Sequence, residues 1–338
     1  MPKQKTDDLI RLIESLTRAE KRHFRLFVKR NQQAANDILF LQLFDYLEKQ
    51  EEYDEDHLMK RIKGIKKSQL SNLKAHLYKQ LLTSLRLLNR NKDEEIMLRE
   101  NIDYARILYN KGLYRQSLDI LEKVKKRALE DEFHTIALEI AQFEKLIEGQ
   151  YITRSIGGRA VSLSRECTQL IHKIESSEKF SNLNLQLYGY FLETGMVKSD
   201  QDVRTVKRLF DSLLPDGSYE ELSFWGKVYF CQSYMWLHHI CQEYPLCYRY
   251  SQRMLDLFRD NPKMIELSAA LYLKAMHYHL DNLFNMWQHD KFVEELEVLK
   301  EFPKTYDFSG DGNAEGLWNM YHYSHQIQLH YMEGTFTE

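Results

Sequence analysis

Apolar residues spaced three and four apart, with very little to interrupt them, constrain this chain most strongly to a helical fold. Between residues 67 and 90 they keep one helix face apolar for about six turns, with leucine at positions 70, 73, 77, 81, 85 and 88. Only 13 glycines and 5 prolines are spread over 338 residues, so few positions can end a helix. Leu, Glu, Lys and Gln, which favour helices, fill the remaining positions. The sequence predicts an all-α protein.

Charge divides the chain into two parts. Residues 1–92 contain 20 Lys and Arg against 12 Asp and Glu, a net charge of +8. Residues 93–338 contain 27 basic and 38 acidic residues, a net charge of −11. This asymmetry predicts a small basic helical domain over 1–92 and a second domain over 93–338.

The basic domain contains its own helix signals. Thr17 followed by Glu20 predicts a capping box at the start of a helix. Residues 54–81 read as a helix, a turn at Gly64 and a further helix, the outline of a helix-turn-helix.

From residue 93 onward the pattern predicts helical hairpins. The first has its turn at Lys111–Gly112, where glycine can adopt the left-handed conformation that ends a helix. We predict similar turns near Gln242 and at His289–Asp290.

We expect an aromatic residue at the start of the second helix of each hairpin. A second aromatic residue or a histidine lies five positions before it, and a small or apolar residue lies nine positions before it. The starting rings are Tyr114, Tyr244, Phe292 and Phe336; the earlier rings are Tyr109, His239, Trp287 and Tyr331; the third set is Ala105, Met235, Leu283 and Ile327. By this spacing "HYMEGTF" is the turn of a further hairpin. We expect that last hairpin to be incomplete at residue 338.

Proline positions suggest the boundaries between hairpins. We expect Pro215, Pro262 and Pro303 each to follow a second helix, since proline cannot continue one. Two further units are predicted over 132–176 and 178–214. About six hairpins of this length indicate an α-solenoid.

The hairpin at 93–130 resembles the tetratricopeptide-repeat (TPR) family at its small, aromatic and apolar packing positions. These positions are Ala105, Leu108, Gly112, Tyr114, Ser117, Leu121 and Val124. Residues 222–302 also resemble this family. Their repeats are longer than the family's 34 residues, and Glu295 occupies a position where the family usually has a small residue. The resemblance implies an α-solenoid that binds proteins or peptides. The opening "SLTRAEKRHFRLF" resembles uncharacterised bacterial helical-repeat proteins and implies no activity.

Catalytic and cofactor motifs are missing from the sequence. It contains no phosphate-binding glycine loop, dinucleotide fingerprint, nucleophile elbow or His-Glu-x-x-His motif. A calcium-loop match at Asp307–Gly312 has Trp318 where the bidentate glutamate is required. Cys231, His238 and Cys241, like His322 and His325, lack paired zinc-ligand spacing. We therefore predict a non-enzyme without cofactor, metal or small-molecule substrate.

Aromatic and histidine residues on the first helices have two interpretations. They form the core between repeats, or some of them line a groove for a peptide or a partner helix. The candidate groove residues are Tyr109, Tyr234, Trp236, His239, Trp287, Trp318 and Tyr331.

Cationic side chains in the first 92 residues favour a second hypothesis, nucleic-acid binding by a regulator whose repeats sense a partner. The candidate contacts form one stripe on each of two helices: Arg18, Arg22, Arg25 and Lys29, and Lys79, Arg86 and Arg90. Alternatively these charges are simply solvated, or the basic domain docks on the acidic repeats.

The start of the chain has no apolar signal segment, and no stretch approaches the roughly 18 apolar residues of a membrane span. Four cysteines inside helical patterns are expected to be reduced thiols. These features predict a cytoplasmic protein with no membrane contact.

Overall fold

The computed structural model describes residues 2–30, 35–49, 55–62, 67–90, 92–150, 158–308 and 310–335. Within these ranges the chain is all-α, with sixteen α-helices, one short 3-10 helix and no strand. It forms two compact units, Met1–Glu100 and Asn101–Glu338. The domain boundary at 92/93 stays a prediction.

The first unit contains five helices and the start of a sixth. These are α1 (Pro2–Ser15), α2 (Arg18–Arg30), α3 (Ala35–Leu47), α4 (Glu55–Arg61), α5 (Lys67–Asn89) and α6 (Glu94–Asn110). Its core joins α1 to α5 through buried side chains that include Phe24, Phe44 and Leu77. Gly64, the predicted turn before α5, lies outside the described residues.

The predicted capping box at the start of α2 is confirmed. The backbone N–H of Thr17 donates to Glu20 Oε2 at 2.7 Å, and the N–H of Glu20 donates to Thr17 Oγ1 at 3.3 Å. Two amides that have no partner within the helix are thereby satisfied.

The second unit continues with ten α-helices: α7 (Tyr114–Glu130), α8 (His134–Gln150), α9 (Arg159–Thr194), α10 (Asp200–Leu213), α11 (Phe224–Ile240), α12 (Tyr244–Arg259), α13 (Pro262–Leu267), α14 (Ala269–Asn285), α15 (His289–Thr305) and α16 (Gly312–Glu333). The 3-10 helix Tyr219–Glu221 precedes α11. Neighbouring helices pack in a repeat-like way, with α7 on α8, α11 on α12, α12 on α14, α14 on α15 and α15 on α16.

Five helices of the second unit end in the same turn, centred on one residue in the left-handed conformation that we call the turn residue. The turn residues are Gly112, Glu132, Gln242, Trp287 and Gly334, with φ between 53° and 77°. In each turn the residue after the turn residue donates its N–H to the carbonyl five positions before it, at 2.8–3.0 Å. This Schellman geometry satisfies a carbonyl that the helix end leaves free.

Two of the three predicted hairpin turns are confirmed, at Gly112 and Gln242. The third prediction is wrong, because α14 turns at Trp287 and α15 begins at His289 instead of Phe292. The residue equivalent to Tyr109 is therefore Phe284. Bulky residues rarely adopt positive φ, so nothing in the sequence marks Trp287 as the turn. Phe336 lies outside the described residues.

The predicted units 132–176 and 178–214 are also wrong. Helix α9 alone covers 36 residues and passes through the expected boundary. Its buried face continues across that boundary, from Leu170 to Phe180 and Leu183. A continuous apolar face gives the helix no reason to end there.

The prolines occupy three different positions. Pro215 follows α10 and Pro262 follows α12, both as predicted, and Pro262 also begins α13; Pro303, however, lies inside the last turn of α15. Proline cannot donate to the carbonyl four residues back, here that of Leu299. The Trp318 indole N–H donates to this oxygen instead, at 2.8 Å. The α16 side chain thus replaces the missing bond, and α15 continues to Thr305.

Within the described residues, no helix combines the length and the apolar composition that a membrane span requires.

Candidate functional site

On the first helix of each hairpin, four positions carry the side chains that face the following helix. They lie 14, 11, 7 and 3 residues before the turn residue. On α14 they are Leu273, Met276, Leu280 and Phe284, of which the first three are 0% exposed. On α11 they are Val228, Cys231, Met235 and His239, of which the first three are buried and His239 is half-buried.

Contacts in two hairpins show why these positions are buried. In the first, Ser117 Oγ donates to the carbonyl of Ala105 at 2.8 Å. In the second, Cys247 Sγ donates to the carbonyl of Met235 at 3.6 Å. Both bonds join the fifth residue after the turn residue to the seventh before it. The equivalent residue on α15, Phe292, is fully buried, with its ring 6.5 Å from that of Phe284.

Helix α16 has the same pattern, but its four side chains are exposed. Met320, Tyr323, Ile327 and Tyr331 expose 53%, 61%, 69% and 54% of their surface, and we call them the α16 face. Between Gly316 and Met332 the helix contains no Asp, Glu, Lys or Arg. A contiguous uncharged apolar stripe of this kind is typical of a binding surface.

Trp287 extends the α16 face. It is 60% exposed, and its ring lies 6.0 Å from the ring of Tyr331. Phe284 lies equally close to Tyr331, at 6.0 Å. Two of the predicted groove residues, Trp287 and Tyr331, are thus brought together at the surface.

Two other candidate groove residues pack around a buried indole. Trp236 is 8% exposed, and its ring lies 5.2 Å from Phe191. His239 packs against the edge of Trp236 at 5.5 Å, and burial lowers its pKa. These rings serve the contact between α9 and α11.

The remaining three candidates lie apart from one another. Tyr234 stacks on Tyr250 at 4.8 Å, within the α11–α12 pair. Tyr109 contacts Phe143 edge-on at 5.5 Å. The Trp318 indole N–H donates to the Leu299 carbonyl, as described above. Side chains bonded into three different helix pairs do not line one continuous groove.

The basic stripe on α2 is partly neutralised. Arg18, Arg22 and Lys29 are exposed, but Arg25 donates to Asp45 at 2.9 Å and pairs with Glu48. The second stripe, Lys79, Arg86 and Arg90, is exposed on α5 and the turn after it.

The calcium-loop match has a structural role at Asp311. Its carboxylate accepts from the N–H groups of Asn313 and Ala314, each at 3.0 Å, and so caps α16. Ser309, another residue of the match, lies outside the described residues.

Thiols in the second unit are core groups. Cys231 and Cys247 are buried, and burial raises the pKa of each to about 12. A thiol with so high a pKa is a poor nucleophile at neutral pH.

Comparisons with protein-family models, with curated proteins and with solved structures found no match.

Sequence reasoning overlooked Met320 as a member of an exposed surface, and it named Ile327 only as the apolar residue nine positions before Phe336. One available signal was the absence of charged residues from 316–332. Sequence reasoning also overlooked His277 and Asp281, which lie beside His325 as described below.

Proposed function

We propose that this chain is a non-catalytic protein-binding module. In this proposal its TPR-like hairpins form an α-solenoid, and the α16 face binds one amphipathic helix of a partner protein. The observation that carries the proposal is the exposure of four positions that α11 and α14 keep covered. The partner helix would pack on α16 as α15 packs on α14.

The α15 sequence indicates the chemistry of such a partner helix. Its buried face presents Phe292, Leu296 and Leu299, at spacings of four and three residues. A partner with large apolar side chains at the same spacing would bury the α16 face. Its charged residues would lie on the opposite side, because α16 offers no charge between Gly316 and Met332.

Burial of the α16 face would contribute part of the binding energy of a specific complex. Burying one large apolar side chain contributes about 1.5–3 kcal/mol. Four such side chains contribute roughly 6–12 kcal/mol before the entropic cost of association is subtracted. Association itself costs roughly 4–15 kcal/mol, so the apolar side chains of the partner helix must contribute the rest of the affinity.

The test compares three forms of the full chain as bait: the wild type, Ile327→Glu and Ile171→Glu. Proteins retained by the wild type are identified, purified and titrated against each form. We expect Ile327→Glu to bind at least tenfold more weakly, because a carboxylate enters an apolar contact. Ile171 is 49% exposed on α9 and serves as the matched control.

If a purified partner binds the wild type and Ile327→Glu equally, the α16 face is not its binding site. Binding lost equally in Ile171→Glu would indicate a general effect of surface charge. Either result overturns the proposal. Circular dichroism of each variant checks that the helices are retained.

A second candidate function rests on the three exposed cations of α2. Arg18, Arg22 and Lys29 follow a four- and seven-residue spacing and share one helix face. Together with the net charge of +8 over residues 1–92, they favour binding to phosphates of nucleic acid.

Titration with labelled duplex DNA and with single-stranded RNA at two salt concentrations tests this candidate. Binding that weakens steeply with salt, and is lost in the double variant Arg22→Glu, Lys29→Glu, would support a nucleic-acid-binding regulator. No binding at low salt would exclude it.

A further inference from the structure

Two histidines and an aspartate meet between α14 and α16, outside the α16 face. His277 and Asp281 lie one turn apart on α14, and His325 lies on α16. One possible ligand atom from each residue lies within 4.8 Å of the other two. His277 Nδ1 is 3.0 Å from His325 Nε2, and His277 Nε2 is 3.5 Å from Asp281 Oδ2.

Gln328 determines which nitrogen of His325 carries its proton. Its amide nitrogen donates to Asp281 Oδ1 at 2.9 Å, because a carboxylate can only accept. The amide oxygen therefore faces His325 Nδ1, at 2.6 Å. An amide oxygen can only accept, so the His325 proton is on Nδ1 and its Nε2 holds a lone pair.

The same reasoning extends to His277. Since His325 Nε2 is an acceptor, His277 Nδ1 must donate to it across 3.0 Å. In the neutral ring, His277 Nε2 then has a lone pair that faces the Asp281 carboxylate at 3.5 Å. Two acceptors at this distance repel each other unless a cation stands between them.

A metal ion can be that cation, because a third possible ligand atom, on His325, lies within 4.8 Å of the other two.

We propose that His277, Asp281 and His325 bind a divalent transition-metal ion of the zinc class. Two imidazole nitrogens and one carboxylate oxygen are typical zinc ligands, and three protein ligands leave a fourth position for water. Gln328, which bonds both His325 and Asp281, orients the ligands from outside.

The surroundings allow an ion to enter and to be held. His325 is 0% exposed, while the side chains of His277 and Asp281 expose 25% and 36%. One ligand is therefore rigid and two are reached from solvent. The Tyr321 ring stacks on His277 at 4.1 Å, which fixes the plane of the imidazole.

Binding requires a small contraction of the cluster. Ligand atoms of a tetrahedral zinc site lie about 3.3 Å apart, since each zinc bond is about 2.0–2.1 Å long. The largest separation here is at most 4.8 Å. Binding also breaks the 3.0 Å bond from His277 Nδ1 to His325 Nε2, so that the lone pair of His325 Nε2 turns to the ion. The bound ion would join α14 to α16 and stabilise their pairing.

The experiment uses the full chain freed of metal by a chelator and titrated calorimetrically with zinc chloride at neutral pH. We expect one equivalent to bind, with Asp281→Asn and His277→Gln each at least tenfold weaker. Cobalt chloride provides a second readout, because imidazole and carboxylate ligands give visible absorption without thiolate charge-transfer bands.

His289→Gln is the matched control. This histidine lies 3.1 Å from Glu333 and 3.3 Å from Asp290, so it forms a similar but exposed histidine–carboxylate cluster. The His289→Gln variant should bind zinc with the same affinity as the wild type. Zinc should also raise the melting temperature of the wild type and of His289→Gln, but not that of Asp281→Asn.

Several results would overturn the proposal. These are a wild-type chain that binds no stoichiometric zinc, zinc affinity unchanged in both Asp281→Asn and His277→Gln, or thiolate absorption in the cobalt spectrum. Asp281→Asn replaces a half-exposed carboxylate by an amide of the same shape, so loss of binding in this variant is not explained by unfolding.

Discussion

Helices α14 and α16 carry the same four-position apolar pattern before the same kind of turn, but only α14 is covered. Leu280 on α14 is 0% exposed and the equivalent Ile327 on α16 is 69% exposed. The turn residues Trp287 and Gly334 both have positive φ, and both turns contain the same backbone bond. Local structure is thus shared, while burial depends on whether another helix packs on the pattern.

This comparison shows that an apolar residue at the same helix position can have two different roles. At Leu280 it stabilises the fold, because α15 excludes water from it. At Ile327 most of the side chain is exposed to water, and under the proposed function a partner helix would cover it. Three predictions, from the largest effect to the smallest, test whether this difference holds.

The largest contrast is expected between Leu280→Ala and Ile327→Ala. We expect Leu280→Ala to lower the free energy of unfolding by about 2–5 kcal/mol, because it leaves a cavity in the core. Ile327→Ala should change that free energy by less than about 0.5 kcal/mol. Urea unfolding of both variants measures the two values. Similar losses in both would show that the α16 face is already covered in solution.

The second contrast concerns His279, which α14 buries at a position where α16 has Gln326. Burial, with smaller contributions from Arg259 and Lys291, lowers the pKa of His279 to about 4. The unfolded chain, whose histidine pKa is about 6.5, therefore binds a proton that the folded chain does not. Stability falls as the pH decreases from about 6.5 to about 4, by at most roughly 3 kcal/mol from this residue.

The measurement is the free energy of unfolding of the wild type and of His279→Gln across that pH range. Glutamine does not titrate and can still bond Ser251, which lies 3.0 Å from His279 Nδ1. We expect a shallower decline in the variant. An identical decline would mean that His279 is protonated in the folded chain.

The smallest contrast lies in the turns. Gly112→Ala should lower the free energy of unfolding by about 1 kcal/mol, because alanine resists positive φ. Steric contact contributes little, since the only atom near the added Cβ is the Tyr114 hydroxyl at 4.0 Å. Gly334→Ala should lower the free energy of unfolding by less, because the turn at Gly334 orients side chains that are exposed. Equal costs measured by thermal unfolding would contradict this.

Sequence reasoning worked best where a local signal and the packing agreed. Gly112 marked its turn because glycine adopts positive φ without strain, and Thr17 with Glu20 marked a helix start because the two side chains bond across one turn. It failed at Trp287, where hydrogen bonds and packing impose positive φ on a bulky residue. It failed again at Pro303, where a side chain 15 positions later replaces the missing backbone bond.

The sequence by itself determined that the chain is helical, where some of its helices begin and end, and which faces are apolar. These properties depend on spacings of a few residues, which any reader of the sequence can see. Only the tertiary structure decided which apolar face is covered, and that His277 and Asp281 stand beside His325. Such outcomes depend on contacts between residues far apart in the chain, and periodicity along one helix contains no information about its neighbour.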